Sequence, residues 1–193
     1  MPPIEVTLHG MGAASDWVQR WSHLVRPGGT VLDLACGQGR HMNWFAQRGH
    51  PVVGVDRSPE AVQAASKFGE VVLADIENNN WPLMTGDQVR QFDAVVVTNY
   101  LWRPLFTVIA QSVAPGGLLL YETFAQGNET VGKPSRPDFL LQPTELLRAF
   151  GHLQIIAFED GFLENPPRFV QRITAINAAT GDAGQQTPSR YAL

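Results

Sequence analysis

A chain of 193 residues and 21.2 kDa suits one domain, and 44% hydrophobic against 17% charged residues lets it bury a core. The formal charge of -4, with no run of Lys or Arg, disfavours a protein that grips nucleic acid by neutralising phosphates. No apolar run approaches the roughly twenty residues of a membrane helix. Residues 1–14 read as an N-terminal extension, after which Trp17 and Trp21 stand at helical spacing as packing residues. Residues 30–35 are a short apolar run ending in a glycine turn, and 40–49 a helix stopped by Gly49. A second run covers 52–56. Ser58 then caps a helix with Pro59 at its first position and Glu60 in its first turn, running to residue 68. Residues 71–74 and 92–97 are the third and fourth runs, followed by a helix over 104–113. Pro115-Gly116-Gly117 turns the chain into a fifth strand over 118–121.

Continuous apolar strands, each followed by a helix, require a parallel sheet covered on both faces, hence a doubly wound α/β fold. Residues 122–142 form a long polar stretch with Gly127, Gly132, Pro134 and Pro137, and loops of that length are functional or disordered. A short helix over 143–150 precedes two runs, 152–159 and 168–176, that read as a closing antiparallel pair. The domain is expected to span 15–177, with 178–193 a mobile polar tail. Residues 1–12 carry neither the basic nor the apolar region of a signal peptide. One cysteine, Cys36, forms no internal disulfide, so a cytoplasmic protein is expected. One Cys and five scattered His offer no ligand pair at metal spacing.

In a doubly wound sheet, ligands bind at the carboxyl ends of the strands. The first strand here ends in Asp33-Leu34-Ala35-Cys36-Gly37-Gln38-Gly39-Arg40, where Gly37 and Gly39 allow a sharp turn and close approach to a ligand. Asp56 ends the second strand, where a carboxylate can accept from both hydroxyls of a ribose. Asp75 ends the third, where one can take the amino group of adenine. Three acids on successive strand ends beside a Gly-x-Gly turn point to a nucleoside site and not to a phosphate site. A dinucleotide loop wants Gly-x-Gly-x-x-Gly, but its last position here is Met42, and Asp33 would repel a pyrophosphate while attracting an ammonium. S-adenosylmethionine, which carries an ammonium and a sulfonium, fits better than NAD(P).

The segment Val31-Leu32-Asp33-Leu34-Ala35-Cys36-Gly37-Gln38-Gly39 resembles the first motif of class I S-adenosylmethionine-dependent methyltransferases. Val53-Gly54-Val55-Asp56-Arg57-Ser58-Pro59 resembles the second and Ala74-Asp75-Ile76 the third. Residues 92–101 resemble the fourth, with Pro115-Gly116-Gly117 before the fifth strand. Within the superfamily, the chain is most similar to the small bacterial tellurite-resistance-type branch. The resemblance implies a Rossmann-like seven-stranded sheet in the order 3-2-1-4-5-7-6, with strand 7 antiparallel and helices on both faces. It implies that Asp33, Ala35, Cys36, Gly37 and Gly39 hold the methionyl part and that Asp56 binds the ribose. Arg57 would lie under the adenine, Asp75 and the Ile76 backbone would read its edge, and Thr98-Asn99-Tyr100 would lie beneath the reactive methyl. Ala35 departs from the glycine that many relatives carry.

The expected reaction is in-line methyl transfer to a small-molecule acceptor, leaving S-adenosylhomocysteine. Tyr100 and Glu122 are the candidate catalytic groups, and His41 and Tyr121 stand near the mouth without a comparable claim. Lys133, Arg136 and Arg168 read first as solvated loop cations, with attraction of an anionic acceptor as the alternative, and the 122–142 segment is expected to cover the site. Two other readings stay open: a cofactor-binding module without catalysis, and an NAD(P)-dependent oxidoreductase. Neither a nucleic-acid nor a membrane partner is expected, and the oligomeric state is not legible.

Overall fold

The computed structural model describes residues 12–78, 80–178 and 190–193. Most of the expected N-terminal extension and C-terminal tail therefore lies outside the described residues. Helix α1 (Asp16–Trp21) is capped by Ser15, whose hydroxyl accepts from the Val18 amide. In chain order there follow β1 (Val31–Leu34), α2 (Arg40–Ala46), β2 (Val52–Asp56), α3 (Pro59–Ala65) and β3 (Glu70–Leu73). A two-residue hairpin, β4 (Met84–Thr85) and β5 (Gln88–Val89), leads to β6 (Phe92–Thr98), α4 (Phe106–Gln111) and β7 (Val113–Phe124). Helix α5 (Glu145–Phe150) precedes the closing hairpin β8 (Gln154–Glu164) and β9 (Pro167–Ile176).

The main sheet runs β3-β2-β1-β6-β7-β9-β8. With the small hairpin left out of the count, this is the order 3-2-1-4-5-7-6 that the motifs imply. The first five strands in that order pair in parallel, and β9 runs antiparallel to both of its neighbours. All five parallel strands thus end at one edge of the sheet.

Period-two alternation sorts the strand residues onto two faces. Leu32, Leu34, Val53, Val55, Val95, Val97, Leu119 and Tyr121 pack under α4 and α5 in one cluster. Val31, Ala94, Val96, Leu118 and Leu120 pack with Trp17, Trp21, Met42 and Phe45 in the other. The same alternation sends Asp33, Gly54, Thr98 and Glu122 toward α1 and α2.

Several boundaries differ from expectation. Strand β7 is longer at both ends than 118–121, because Val113 already pairs with Phe92 and the ladder resumes at Leu118 opposite Ala94. The closing hairpin is longer too: Gly161 stays in β8 opposite Val170 instead of breaking it. The expected helix over 104–113 starts as a 3-10 turn, Arg103–Leu105, with Pro104 inside it. The β4–β5 hairpin turns at Gly86, with φ +60°, and its strands are too short to show a period. Near the chain's end, Tyr191 packs on the α1 face, and the Ala192 carbonyl lies 3.2 Å from His23 Nε2.

Candidate active site

The loop after β1 is built from backbone constraints. Ala35, Gly37 and Gly39 have φ of +54°, +53° and +83°, and the Cys36 amide donates to the Val55 carbonyl at 3.0 Å. At Gly39 a Cβ would stand 2.9 Å from the Ala65 Cβ, so only glycine lets α2 begin so close to α3. Gly54 does the same for β2: a Cβ there would meet Met42 Sδ at 2.5 Å and Cys36 Sγ at 2.8 Å. The close helix–strand contact that a dinucleotide loop obtains from its third glycine is here obtained from the strand, with the bulky Met42 on the helix.

Asp56 ties this loop to α3. One carboxylate oxygen accepts from the Gly37 amide at 2.8 Å, the other from the Ser58 amide at 2.9 Å. Each oxygen keeps a further lone pair for a ligand. Two non-glycine residues in this region hold left-handed backbone, Ala35 and Asn99, each at φ +54°. Such strain costs about 1–3 kcal/mol per residue and gathers at functional sites. The Asn99 amide is fixed by the Glu122 carbonyl at 2.9 Å.

Asp33 lies buried behind the cleft and lines neither of its cavities. Only 1% of it is exposed, its Oδ2 has no hydrogen-bond partner, and burial pushes its pKa up to about 7, with Arg40 opposing. His41 Nδ1 lies 3.9 Å from Asp33 Oδ1 and 3.4 Å from the Thr98 hydroxyl. Its Nε2 accepts from the Ser15 amide at 3.2 Å, which assigns the proton to Nδ1. Burial pushes the His41 pKa down to about 3, so the ring is neutral and gives Asp33 no counter-charge. A buried carboxylate in that position is costly, and a cationic ligand offsets the cost.

Two cavities open along the carboxyl edge and share Ala35, Asp56 and Asn99. The larger, about 700 Å³, is lined by Cys36, Gly37, Arg40, His41 and Thr98, beside Asp33. The other, about 340 Å³, is lined by Arg57, Asp75, Ile76, Glu77 and Tyr100. Asp75 is exposed and accepts from the Glu77 amide at 3.0 Å, and Ile76 is buried. The Tyr100 hydroxyl donates to Glu77 at 3.4 Å; burial, then the Glu77 charge, raises its pKa well above the ordinary tyrosine value. Burial also raises the Cys36 thiol far from the thiolate form, so it is no nucleophile.

Ten of the eleven residues expected to bind the nucleoside line one cavity or the other, or, like Gly39, shape the loop between them; Asp33 adjoins them through His41. Glu122 is different. It is buried, lines neither cavity and pairs with Arg172 at 3.4 Å, while Arg172 also bonds Glu159 and lies over the Trp17 ring at 5.0 Å. Its carboxylate is turned into an ion chain under α1, where it cannot meet an acceptor in either cavity. The three loop cations line neither cavity, and the Arg136 guanidinium lies 5.2 Å over the ring of Phe139, which lines the smaller one. Arg136 is bonded to Asp138 at 2.8 Å, Lys133 lines neither cavity, and Arg168 lines a separate cleft beside α1.

The 122–142 segment is ordered. Asn128 is buried, donates to the Pro134 carbonyl at 3.0 Å and accepts from the Phe169 amide at 3.2 Å. Arg103 clamps its far end, donating to the Asp138 and Leu140 carbonyls at 2.8 and 2.9 Å while pairing with Glu145. Pro134 and Phe139 thereby face the smaller cavity. Sequence reading missed Arg103, Glu77 and Phe139; only Glu77, two residues after Asp75, carried a signal.

Residues 31–117 match the family model described as a methyltransferase domain. The ribosomal protein L11 methyltransferase of Burkholderia multivorans is 34% identical over 106 residues, 53% of this chain and 33% of that protein. The match thus spans about a third of the length of such curated relatives. Among solved structures, TehB of Haemophilus influenzae superposes with a TM-score of 0.67 at 20% identity, over 83% of this chain and 61% of that one. A SAM-dependent methyltransferase of Methanosarcina mazei gives 0.66 at 15% identity, over 87% and 100%. These likenesses are likenesses of fold. The sheet order and these likenesses make the fold similar to that of S-adenosylmethionine-dependent methyltransferases, and residues 31–117 match a methyltransferase domain.

Proposed function

We propose that the chain transfers a methyl group from S-adenosylmethionine to a small-molecule acceptor, leaving S-adenosylhomocysteine. The observation that carries this reading is Asp33, a buried carboxylate with an unpartnered oxygen, 3.9 Å from His41, which lines the larger of two cavities that share Asp56. The residues present fit the cofactor. Asp33 would hold its ammonium, the free lone pairs of Asp56 its ribose hydroxyls, and Asp75 with the Ile76 amide its adenine. Arg57 would flank the base, and Thr98 and Tyr100, on either side of the strained turn at Asn99, would help to place the reacting end.

When bound, the cofactor supplies an electrophilic methyl on a sulfonium. The chain's part is to hold acceptor and methyl in line and keep water out. Orientation of this kind supplies about 7–11 kcal/mol in favourable cases. Tyr100 forms wall and floor; with its hydroxyl bonded to Glu77 and its pKa raised, it holds its proton at neutral pH. Glu122 serves by fixing β7 and α1, not by meeting the acceptor.

The oxidoreductase reading is opposed by Met42, fully buried where the dinucleotide loop needs glycine, and by the repulsion between Asp33 and a pyrophosphate. A binding module without catalysis is separated by turnover. Purified protein given methyl-labelled cofactor and a set of small-molecule acceptors should release S-adenosylhomocysteine and labelled product in equal amounts. A module that only binds releases neither.

A further inference from the structure

His41, on α2, is buried where three other elements meet: the start of α1, β1 at Asp33 and the end of β6. The Ser15 amide, which can only donate, stands 3.2 Å from its Nε2. A proton on Nε2 would set two donors against each other, so Nε2 accepts and the single proton of the neutral ring sits on Nδ1. That nitrogen is 3.4 Å from the Thr98 hydroxyl but 3.9 Å from Asp33 Oδ1, which is beyond hydrogen-bond reach. His41 therefore donates to Thr98, and Asp33 Oδ2 keeps its lone pairs.

The direction of that bond decides what Thr98 can offer. With its oxygen accepting from Nδ1–H, the hydroxyl has one hydrogen left to give, and among the described residues His41 is its one hydrogen-bonding partner. Thr98 lines the larger cavity together with Arg40. The other charges on that cavity are engaged: Asp56 accepts from the Gly37 and Ser58 amides, and Glu60 from the Ser58 hydroxyl. The region thus presents two opposite poles, a hydroxyl hydrogen at Thr98 and an unpartnered carboxylate oxygen at Asp33. A methionyl group is a zwitterion whose ammonium only donates and whose carboxylate only accepts, and it satisfies both poles in one orientation.

We propose that His41 is a positioning residue: by donating to Thr98 it aims the Thr98 hydroxyl hydrogen at the carboxylate of the cofactor's methionyl group, while Asp33 takes the ammonium. This rests on the methyltransferase reading above and assigns the methionyl end of the same site. The start of α1 takes part through the Ser15 amide, which fixes the tautomer of the ring.

The test is calorimetry with S-adenosylhomocysteine and its decarboxylated analogue, which lacks only the carboxylate. The wild type should prefer S-adenosylhomocysteine, and Thr98→Val should cut that preference about tenfold or more, the worth of one hydrogen bond to a charged group. Thr98→Ser should keep it. His41→Phe should cut it several-fold with Thr98 in place, and His41→Gln, whose amide can accept from Ser15 and donate to Thr98, should restore much of it. A His41 that served packing alone would weaken both ligands alike and leave their ratio unchanged. Thr98→Val keeps the volume and branching of the side chain, so it decides the matter if His41→Phe does not fold. An unchanged ratio in Thr98→Val or in folded His41→Phe overturns the proposal, as does a wild type that binds the analogue as tightly as S-adenosylhomocysteine. A folded wild type that binds neither ligand overturns the methyltransferase reading itself.

Discussion

The stretch from β1 to the end of β3 and the stretch from β7 to β9 build the two sides of one cleft by different means. In the first, every functional group is set by its own neighbourhood: Asp56 takes the amides of Gly37 and Ser58, and Ser58 caps the helix that follows. In the second, position comes from partners far along the chain. Arg103 holds carbonyls at 138 and 140, Asn128 holds Phe169, and Glu122 is held by Arg172. A nucleoside that never varies can be bound by local backbone rules. An acceptor wall assembled from distant segments can change without disturbing them.

Breaking the long-range side should cost most. Arg172→Met leaves Glu122 buried and uncompensated, so about 3–5 kcal/mol of unfolding free energy should be lost by denaturant titration. Adding Glu122→Gln should restore much of it. A double variant no more stable than the single one would mean that Arg172 acts through its stacking on Trp17.

Arg103→Met should separate the two sides functionally. Losing two charge-assisted bonds to the segment carbonyls, worth about 1.5–3 kcal/mol each, should raise the acceptor KM strongly while the S-adenosylhomocysteine affinity stays within about twofold. Equal losses of both would make the segment part of the cofactor site.

On the local side, Gly39→Ala forces a side chain into φ +83° and against Ala65. A loss of about 1–3 kcal/mol in stability is expected, with a weaker cofactor complex, and thermal unfolding with and without S-adenosylhomocysteine reads both.

The smallest effect is a pH dependence. The Asp33 pKa is raised to about 7, and the ammonium needs its carboxylate, so cofactor affinity should rise about tenfold from pH 6 to pH 8 and level off above. Asp33→Asn should flatten that rise and weaken binding at pH 8. The stability of the free protein should follow a different course. Asp33, proton-loving when folded, makes stability fall as pH rises from about 4 to about 7. His41, lowered to about 3, makes stability fall as pH drops below about 6.5. The two trends oppose each other over most of that range, so binding exposes Asp33 more clearly than melting does.

The same contrast explains what was legible. Strand ends marked by Asp33, Asp56 and Asp75, the Ser58-Pro59 cap and the glycine turn are short-range signals; they gave the doubly wound class, and the strand order came from the family resemblance that they carry. Glu122 read as a catalytic candidate because its strand end is near the site. Only the tertiary pairing with Arg172, fifty positions away, shows it turned under α1. The 122–142 stretch read as an open polar loop because Asn128 and Arg103 find their partners far from themselves in sequence. Gly161 read as a break because nothing local reports that Val170 lies opposite.

The most direct measurement of the central claim is a calorimetric titration of S-adenosylhomocysteine into the wild-type chain and into Asp56→Ala. The account predicts micromolar or tighter binding by the wild type, about 8 kcal/mol or more, and a loss of about a hundredfold or greater in the variant. A folded wild-type chain that does not bind, or a variant that binds equally well, would contradict it.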